Sequence, residues 1–225
     1  MTRAGVGILL LLALAGCGGG DSGRESSGCS GGGVVATSAP PLSSAAGKSS
    51  LAGDLGVFQR EPLHADKMAP ETVAILRDFE RGANSLSTPA GPGDLELDRG
   101  RAAVRAGDDT RVFALPTSNG WACAIEGGRS RARAPVCWPR LDRGLGWAAA
   151  SGRCDPGGLV VFGLTRDNVK DVRVEVRSGD DFPAAVGENG FYWSDDEDSL
   201  NTDDVRAFRV TLDDGSVIEI PSQPS

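Results

Sequence analysis

Aromatic residues make up only 5% of this 225-residue chain, histidine occurs once, at His64, and lysine three times. A single histidine cannot build a two-histidine zinc site, and neither a P-loop nor a His-Glu-x-x-His motif occurs. His64 lies in Pro62-Leu63-His64-Ala65 without a nucleophile motif beside it, so it reads as a surface or capping residue. There is no strict glycine period, no sustained heptad and only one long apolar run, which excludes collagen, a coiled coil and a polytopic membrane protein. Positive charge is also short. Lys+Arg total 23 against 31 Asp+Glu, a net charge of −8 that repels a nucleic acid. What the chain holds in quantity is glycine, at 32 residues, with 13 prolines.

The one apolar run lies at the N-terminus. A basic start at Arg3 precedes Val6, Ile8, Leu9, Leu10, Leu11, Leu12 and Leu14. This is too short for a permanent span of a hydrocarbon layer about 30 Å thick, and reads as a secretory signal. It ends in Leu14-Ala15-Gly16-Cys17, which resembles the lipobox of bacterial lipoproteins. The resemblance implies that residues 1–16 are a cleaved signal peptide, that Cys17 becomes the mature N-terminus, and that a covalent diacylglycerol on its sulfur forms the membrane anchor. The implied location is the extracytoplasmic face of the cell membrane. Cleavage discards only Arg3 among the charges, so the remainder stays acidic and meets an anionic bilayer through the lipid alone.

From Cys17 to Gly53 the chain is Gly, Ser and Ala without an aromatic residue, and reads as a flexible tether with a reach of roughly 30–36 Å. Residues 54–221 read as a single mainly β domain and 222–225 as a tail. A helix is predicted near 70–81, with Pro70 in its first turn, a stripe of Val73, Leu76 and Phe79, and Gly82 as its end. Strands are predicted at 111–115, 121–125, 135–138, 159–164, 172–177, 182–186, 190–193, 207–212 and 217–220. Alternation is clearest in Val172-Arg173-Val174-Glu175-Val176-Arg177, and turns such as Asp213-Asp214-Gly215 mark hairpins. The expectation is an antiparallel sandwich of about seven to nine strands with one N-terminal helix.

The segments Val161-Phe162-Gly163-Leu164-Thr165-Arg166-Asp167-Asn168-Val169, Val172–Val176 and Val186-Gly187-Glu188-Asn189-Gly190-Phe191 resemble a recurrent β module of secreted and lipid-anchored actinobacterial proteins. Phe58-Gln59-Arg60-Glu61-Pro62 and Ala65-Asp66-Lys67 resemble its N-terminal part. The chain departs at Arg166 and Asn168, where Pro and Gly are usual. These motifs are structural and imply no activity. The resemblance also bears on the cysteines at 17, 29, 123, 137 and 154: Cys137 and Cys154 match the spacing of a pair in the similar proteins, which implies a disulfide between them. Cys123 competes for Cys137, since a hairpin centred near Ser130 sets the two opposite each other.

Two charge clusters are candidate sites. Asp195, Asp196, Glu197 and Asp198, followed by Asp203 and Asp204, form an acidic loop whose oxygens can bind Ca²⁺, although the order of an EF-hand is missing. Arg129, Arg131 and Arg133 recur every second residue, so an extended backbone sets them on one face, able to engage a phosphate-bearing lipid or wall polymer. Trp121, Trp138, Trp147 and Trp193 read as core anchors. The expected function is a non-enzymatic envelope module that is structural or binds an envelope protein or wall polymer. The alternatives are a hydrolase using the carboxylates of the acidic loop, and a calcium-binding module.

Overall fold

The structure is a computed structural model and describes residues 34–37, 51–85, 92–128, 132–141, 143–152, 158–195, 197 and 199–222. Among the described residues two α-helices, α1 (Leu51–Asp54) and α2 (Pro70–Ser85), accompany thirteen strands: β1 (Val34–Thr37), β2 (Arg101–Ala106), β3 (Thr110–Pro116), β4 (Ala122–Gly127), β5 (Val136–Trp138), β6 (Leu145–Gly152), β7 (Gly158–Thr165), β8 (Val169–Val176), β9 (Asp181–Pro183), β10 (Ala185–Val186), β11 (Gly190–Ser194), β12 (Val205–Leu212) and β13 (Val217–Pro221). All pairings are antiparallel and form three sheets, in the orders β1-β6-β7-β11-β10, β13-β12-β8-β9 and β2-β3-β4-β5.

The mainly β class is as expected, but the layering goes beyond one sandwich. The sheet containing β7 is buried on both faces. Ala148, Val160, Phe162, Leu164 and Tyr192 pack on Val112, Ala114, Ala124 and Trp138 of the β3-β4-β5 sheet. On the other face Trp147, Val161, Phe191 and Trp193 pack on Val172, Val174, Phe208 and Val210 of the β8-β12 sheet. A strand covered on both faces needs no polar side, which is why Leu159-Val160-Val161-Phe162 runs apolar without alternation. Helix α2 closes the far side of the β3-β4 sheet through Leu76, Ile75 and Phe79 on Phe113, Leu115 and Ile125. The order of layers is therefore helix, sheet, central sheet, outer sheet.

Gly163 sits at the middle of this stack. Its register partners are Trp147 on β6 and Phe191 on β11, and both rings converge on Phe208 of the outer sheet, with centroid separations of 5.0 and 6.0 Å. A Cβ on Gly163 would lie 1.9 Å from the carbonyl oxygen of Gly146 and 2.8 Å from the Phe191 ring. The bare position is what admits two large rings from its neighbours.

Several expectations are corrected. Helix α2 runs through Gly82 to Ser85, and the packed stripe uses Ile75 in place of Val73. The predicted strand at 182–186 is two strands in different sheets, β9 and β10, so the segment crosses from the outer sheet to the central one. Val34–Thr37 pairs with β6, and Leu51 and Ala52 are buried, so the stretch expected to be all tether contributes an edge strand and part of the core. Ser222, expected to open the tail, donates its backbone N–H to the Arg206 carbonyl. Residues 1–33 lie outside the described residues.

Candidate functional site

The outer sheet turns its second face to solvent, and the alternation of β8 puts Arg173 and Glu175 there. In a regular strand Arg206 and Arg209, three residues apart, would face opposite sides. A register shift between Val205 and Ala207 brings both to Glu175. Arg209 Nη2 lies 2.6 Å from Glu175 Oε1, Arg206 pairs with its other oxygen, and Arg206 also lies 3.5 Å from Glu219. Asp181, the register partner of Glu175, is held by Arg173 at 2.7 Å and Arg209 at 3.1 Å. Glu175, Asp181, Arg206 and Arg209 line a hollow of about 270 Å³. The hydrogen bond from Arg173 outweighs desolvation and lowers the Asp181 pKa, while the hydrogen bond to Asp181 raises that of Arg173 and the one to Glu175 raises that of Arg206. Asp181 is thereby held as an anion, unsuited to donate a proton.

The Ser178-Gly179-Asp180 turn separates this hollow from a second one, a cleft of about 360 Å³ at the open end between the outer and central sheets. Phe182 of β9 and Trp193 of β11 stack along it, with ring centroids 5.4 Å apart and planes at 30°. Val176 and Leu200 extend the apolar wall, and Asp180, Asp195 and Glu197 supply its charge, with no lysine or arginine among the described lining residues. Asp195 organises the loop: its Oδ2 accepts the backbone N–H groups of Ser199 at 2.8 Å and Leu200 at 2.7 Å and the Ser199 hydroxyl at 3.2 Å, and its Oδ1 accepts from Glu197 at 3.3 Å. Asp180 accepts from the Ser178 hydroxyl at 2.8 Å.

A third polar cluster fastens the N-terminal segment to the sheets. Asp66, 8% exposed, accepts from Arg60 at 2.8 Å through both oxygens and from the backbone N–H groups of Leu63 and Ala102 at 2.6 and 2.8 Å. Burial pushes its pKa up, but these hydrogen bonds, that of Arg60 foremost, prevail and lower it to about 2. Arg60 also reaches Glu188 at 2.5 Å. Gly56 N–H donates to Asp167, and Val57 N–H to Asn189, whose φ of 63° sits in the turn before β11. This cluster has a structural role, tying together turns that are distant in sequence.

The predicted site residues separate as follows. Cys123 and Cys137 are register partners on β4 and β5 and are joined by a disulfide. This corrects the expected Cys137–Cys154 bridge: the hairpin sets Cys123 opposite Cys137, whose one sulfur is then committed. Cys154 lies outside the described residues, as do Cys17, Cys29, Arg129, Arg131, Asp196 and Asp198. Arg133 pairs at 2.9 Å with Glu126, a fully buried carboxylate, so it faces an internal anion instead of an external one. Asp204 caps Asn201 N–H at 2.8 Å, and Asp203 offers its backbone carbonyl to Arg177 at 2.5 Å. Among the described residues, no three His, Cys, Asp or Glu side chains converge to hold a metal ion. His64 is exposed in a short 3-10 turn. Trp138, Trp147 and Trp193 are buried, Trp121 half-buried. The sequence reading missed that Asp180 lines one cleft with Asp195 and Glu197, because the acidic segments belong to different hairpins. Comparison with family models, curated proteins and solved structures finds no match to this chain.

Proposed function

We propose that this chain is a lipid-anchored, extracytoplasmic binding module of a bacterial envelope, with no chemistry of its own. The observation that carries the reading is the tetrapeptide Leu14-Ala15-Gly16-Cys17 directly after a short apolar run, with Cys17 as the acylated residue. A chain held this way meets partners at a membrane surface, and the layered β domain offers them a charged outer face and an adjoining aromatic cleft. Binding is favoured over hydrolysis because a two-carboxylate mechanism needs one carboxyl held neutral. On the outer face Asp181 is instead kept ionised by Arg173, and in the acidic loop both oxygens of Asp195 are engaged by the loop itself.

Metabolic labelling with an alkyne fatty acid tests the anchor. The full-length chain should take up the label and fractionate with membranes, and Cys17→Ala should lose both. Retention of label in the variant refutes the anchor; turnover of glycan or phosphoester substrates by the purified protein refutes the binding role.

A further inference from the structure

We propose that Asn119-Gly120, at the tip of the β3–β4 hairpin, is a site of spontaneous covalent modification: deamidation through a succinimide, which loosens the N-terminal segment. Asn-Gly is the dipeptide in which this reaction meets least steric resistance, because a glycine nitrogen has no side chain beside it to shield it. The chain contains the dipeptide twice, at Asn119-Gly120 and at Asn189-Gly190. The fold treats the two in opposite ways.

Asn189 is buried, 3% exposed, and its carboxamide is engaged at both ends. Its Oδ1 accepts the Val57 N–H at 2.8 Å, and its Nδ2 donates to the Thr165 carbonyl at 3.0 Å and to Asp167. Gly190 is pressed against β2, where a Cβ would lie 2.7 Å from that of Ala103. The carboxamide carbon of Asn189 cannot swing to the Gly190 nitrogen without breaking these contacts. Asn119 instead is exposed in the turn between β3 and β4, beside the exposed Ser118, and Gly120 follows with a φ of 77°. Gly120 N–H donates to the Thr117 carbonyl at 2.8 Å and Trp121 N–H to the Thr117 hydroxyl at 3.1 Å. These bonds close a single turn at the end of a sheet, where local opening costs least.

In the reaction the Gly120 nitrogen, having lost its proton to solvent base, bonds to Asn119 Cγ. The Cγ–Nδ2 bond breaks and ammonia leaves, taking a proton from water. Water then opens the five-membered imide at either carbonyl, giving aspartate or isoaspartate. No oxidant or reductant enters. The isoaspartate adds one methylene to the backbone between residues 119 and 120. The N-terminal segment is fastened at this point: Ala52 N–H donates to the Gly120 carbonyl at 3.1 Å, between the buried Leu51 and Leu55. A turn longer by one carbon moves that acceptor, so the modified chain holds residues 51–55 less tightly.

Incubation of the folded full chain in mildly alkaline buffer, followed by peptide mass mapping that separates aspartate from isoaspartate, tests this. Asn119 should convert at least about tenfold faster than Asn189, whose hydrogen bonds must open first, and the two rates should become nearly equal in urea. Hydrogen exchange at the Ala52 amide should speed up as isoaspartate accumulates. In Asn119→Gln it should stay constant over the same incubation, and in Asn119→Asp, which has the charge without the extra carbon, it should stay close to that of the fresh parent. Conversion of Asn189 as fast as Asn119 in the folded chain overturns the proposal. So does an Asn119 that stays intact while the chain in urea converts, or an Ala52 amide equally protected before and after conversion. None of these readouts involves Cys17, so failure here is distinguishable from failure of the anchor.

Discussion

On one side of the Ser178–Asp180 turn two carboxylates are gripped by three arginines; on the other, three carboxylates line an aromatic cleft with no arginine among its described lining residues. The turn and strands β8 and β9 are shared, but β12 completes the first hollow and β11 the second, and the two differ in how charge is met. In the first, Glu175 is buried beneath Arg206 and Arg209 and its charge is satisfied internally, so the group belongs to the stability of the outer sheet. In the second, Asp180 and Glu197 are exposed and form no ion pair among the described residues. Charge satisfied within the fold contributes to stability, whereas charge left exposed contributes little.

The contrast can be broken in several ways. Removing both cations in Arg206→Ala/Arg209→Ala leaves the buried Glu175 carboxylate without its partners and should give the largest fall in the urea midpoint. A loss under 1 kcal/mol would mean that Glu175 is not structurally committed. Next in size is the staple on the far side of the stack: Cys123→Ala/Cys137→Ala should cost about 3 kcal/mol, and non-reducing peptide mapping should recover the Cys123–Cys137 peptide pair. Recovery of Cys137 linked to Cys154 would contradict the hairpin register.

Asp66 gives an intermediate case of internally satisfied charge. Its pKa is about 2 in the folded chain against an ordinary 3.8, so its contribution is complete above about pH 4 and is lost as the pH falls through 2. The difference is worth about 2 kcal/mol. Asp66→Asn should be less stable by about that amount at pH 7, with a smaller further loss on acidification than the parent; parallel acid profiles for the two would refute this. Smallest of all, Asp180→Asn/Glu197→Gln should stay within about 0.5 kcal/mol of the parent in the absence of a ligand.

How much of this was legible beforehand depended on burial geometry. The outer sheet was readable because only one face of β8 and β12 is apolar, so Val172, Val174 and Val176 alternate with charge, and Asp213-Asp214-Gly215 marks the hairpin. Strand β7 was readable as an apolar run. Its neighbour β6 was not: Ala148, Ala149 and Ala150 have little strand preference, and they suit a layer packed on both faces next to Phe162. Strand β2 was hidden similarly by Ala102, Ala103 and Ala106, and by Arg101, which is buried despite its charge.

The site was less legible than the fold. The Arg-x-Arg-x-Arg spacing suggested an exposed basic face, but its one described member, Arg133, is drawn to Glu126 by the β4–β5 hairpin. Phe182 and Trp193 come together only because residues 181–186 cross between sheets, a step that no local pattern announces. The bulge that turns Arg206 and Arg209 to the same side is equally invisible in a period of two.

The most direct test makes the same chemical change on both sides of the turn. Glu175→Gln and Glu197→Gln each replace a carboxylate by an amide of equal shape, one beneath two arginines and one at the cleft. Urea unfolding of both variants beside the parent, without a ligand, should show a lowered midpoint for Glu175→Gln and an unchanged or slightly raised midpoint for Glu197→Gln, with a common slope. Equal midpoints for the two variants, or a larger loss for Glu197→Gln, would contradict the account in which the charge of Glu175 is committed to the fold and that of Glu197 is not.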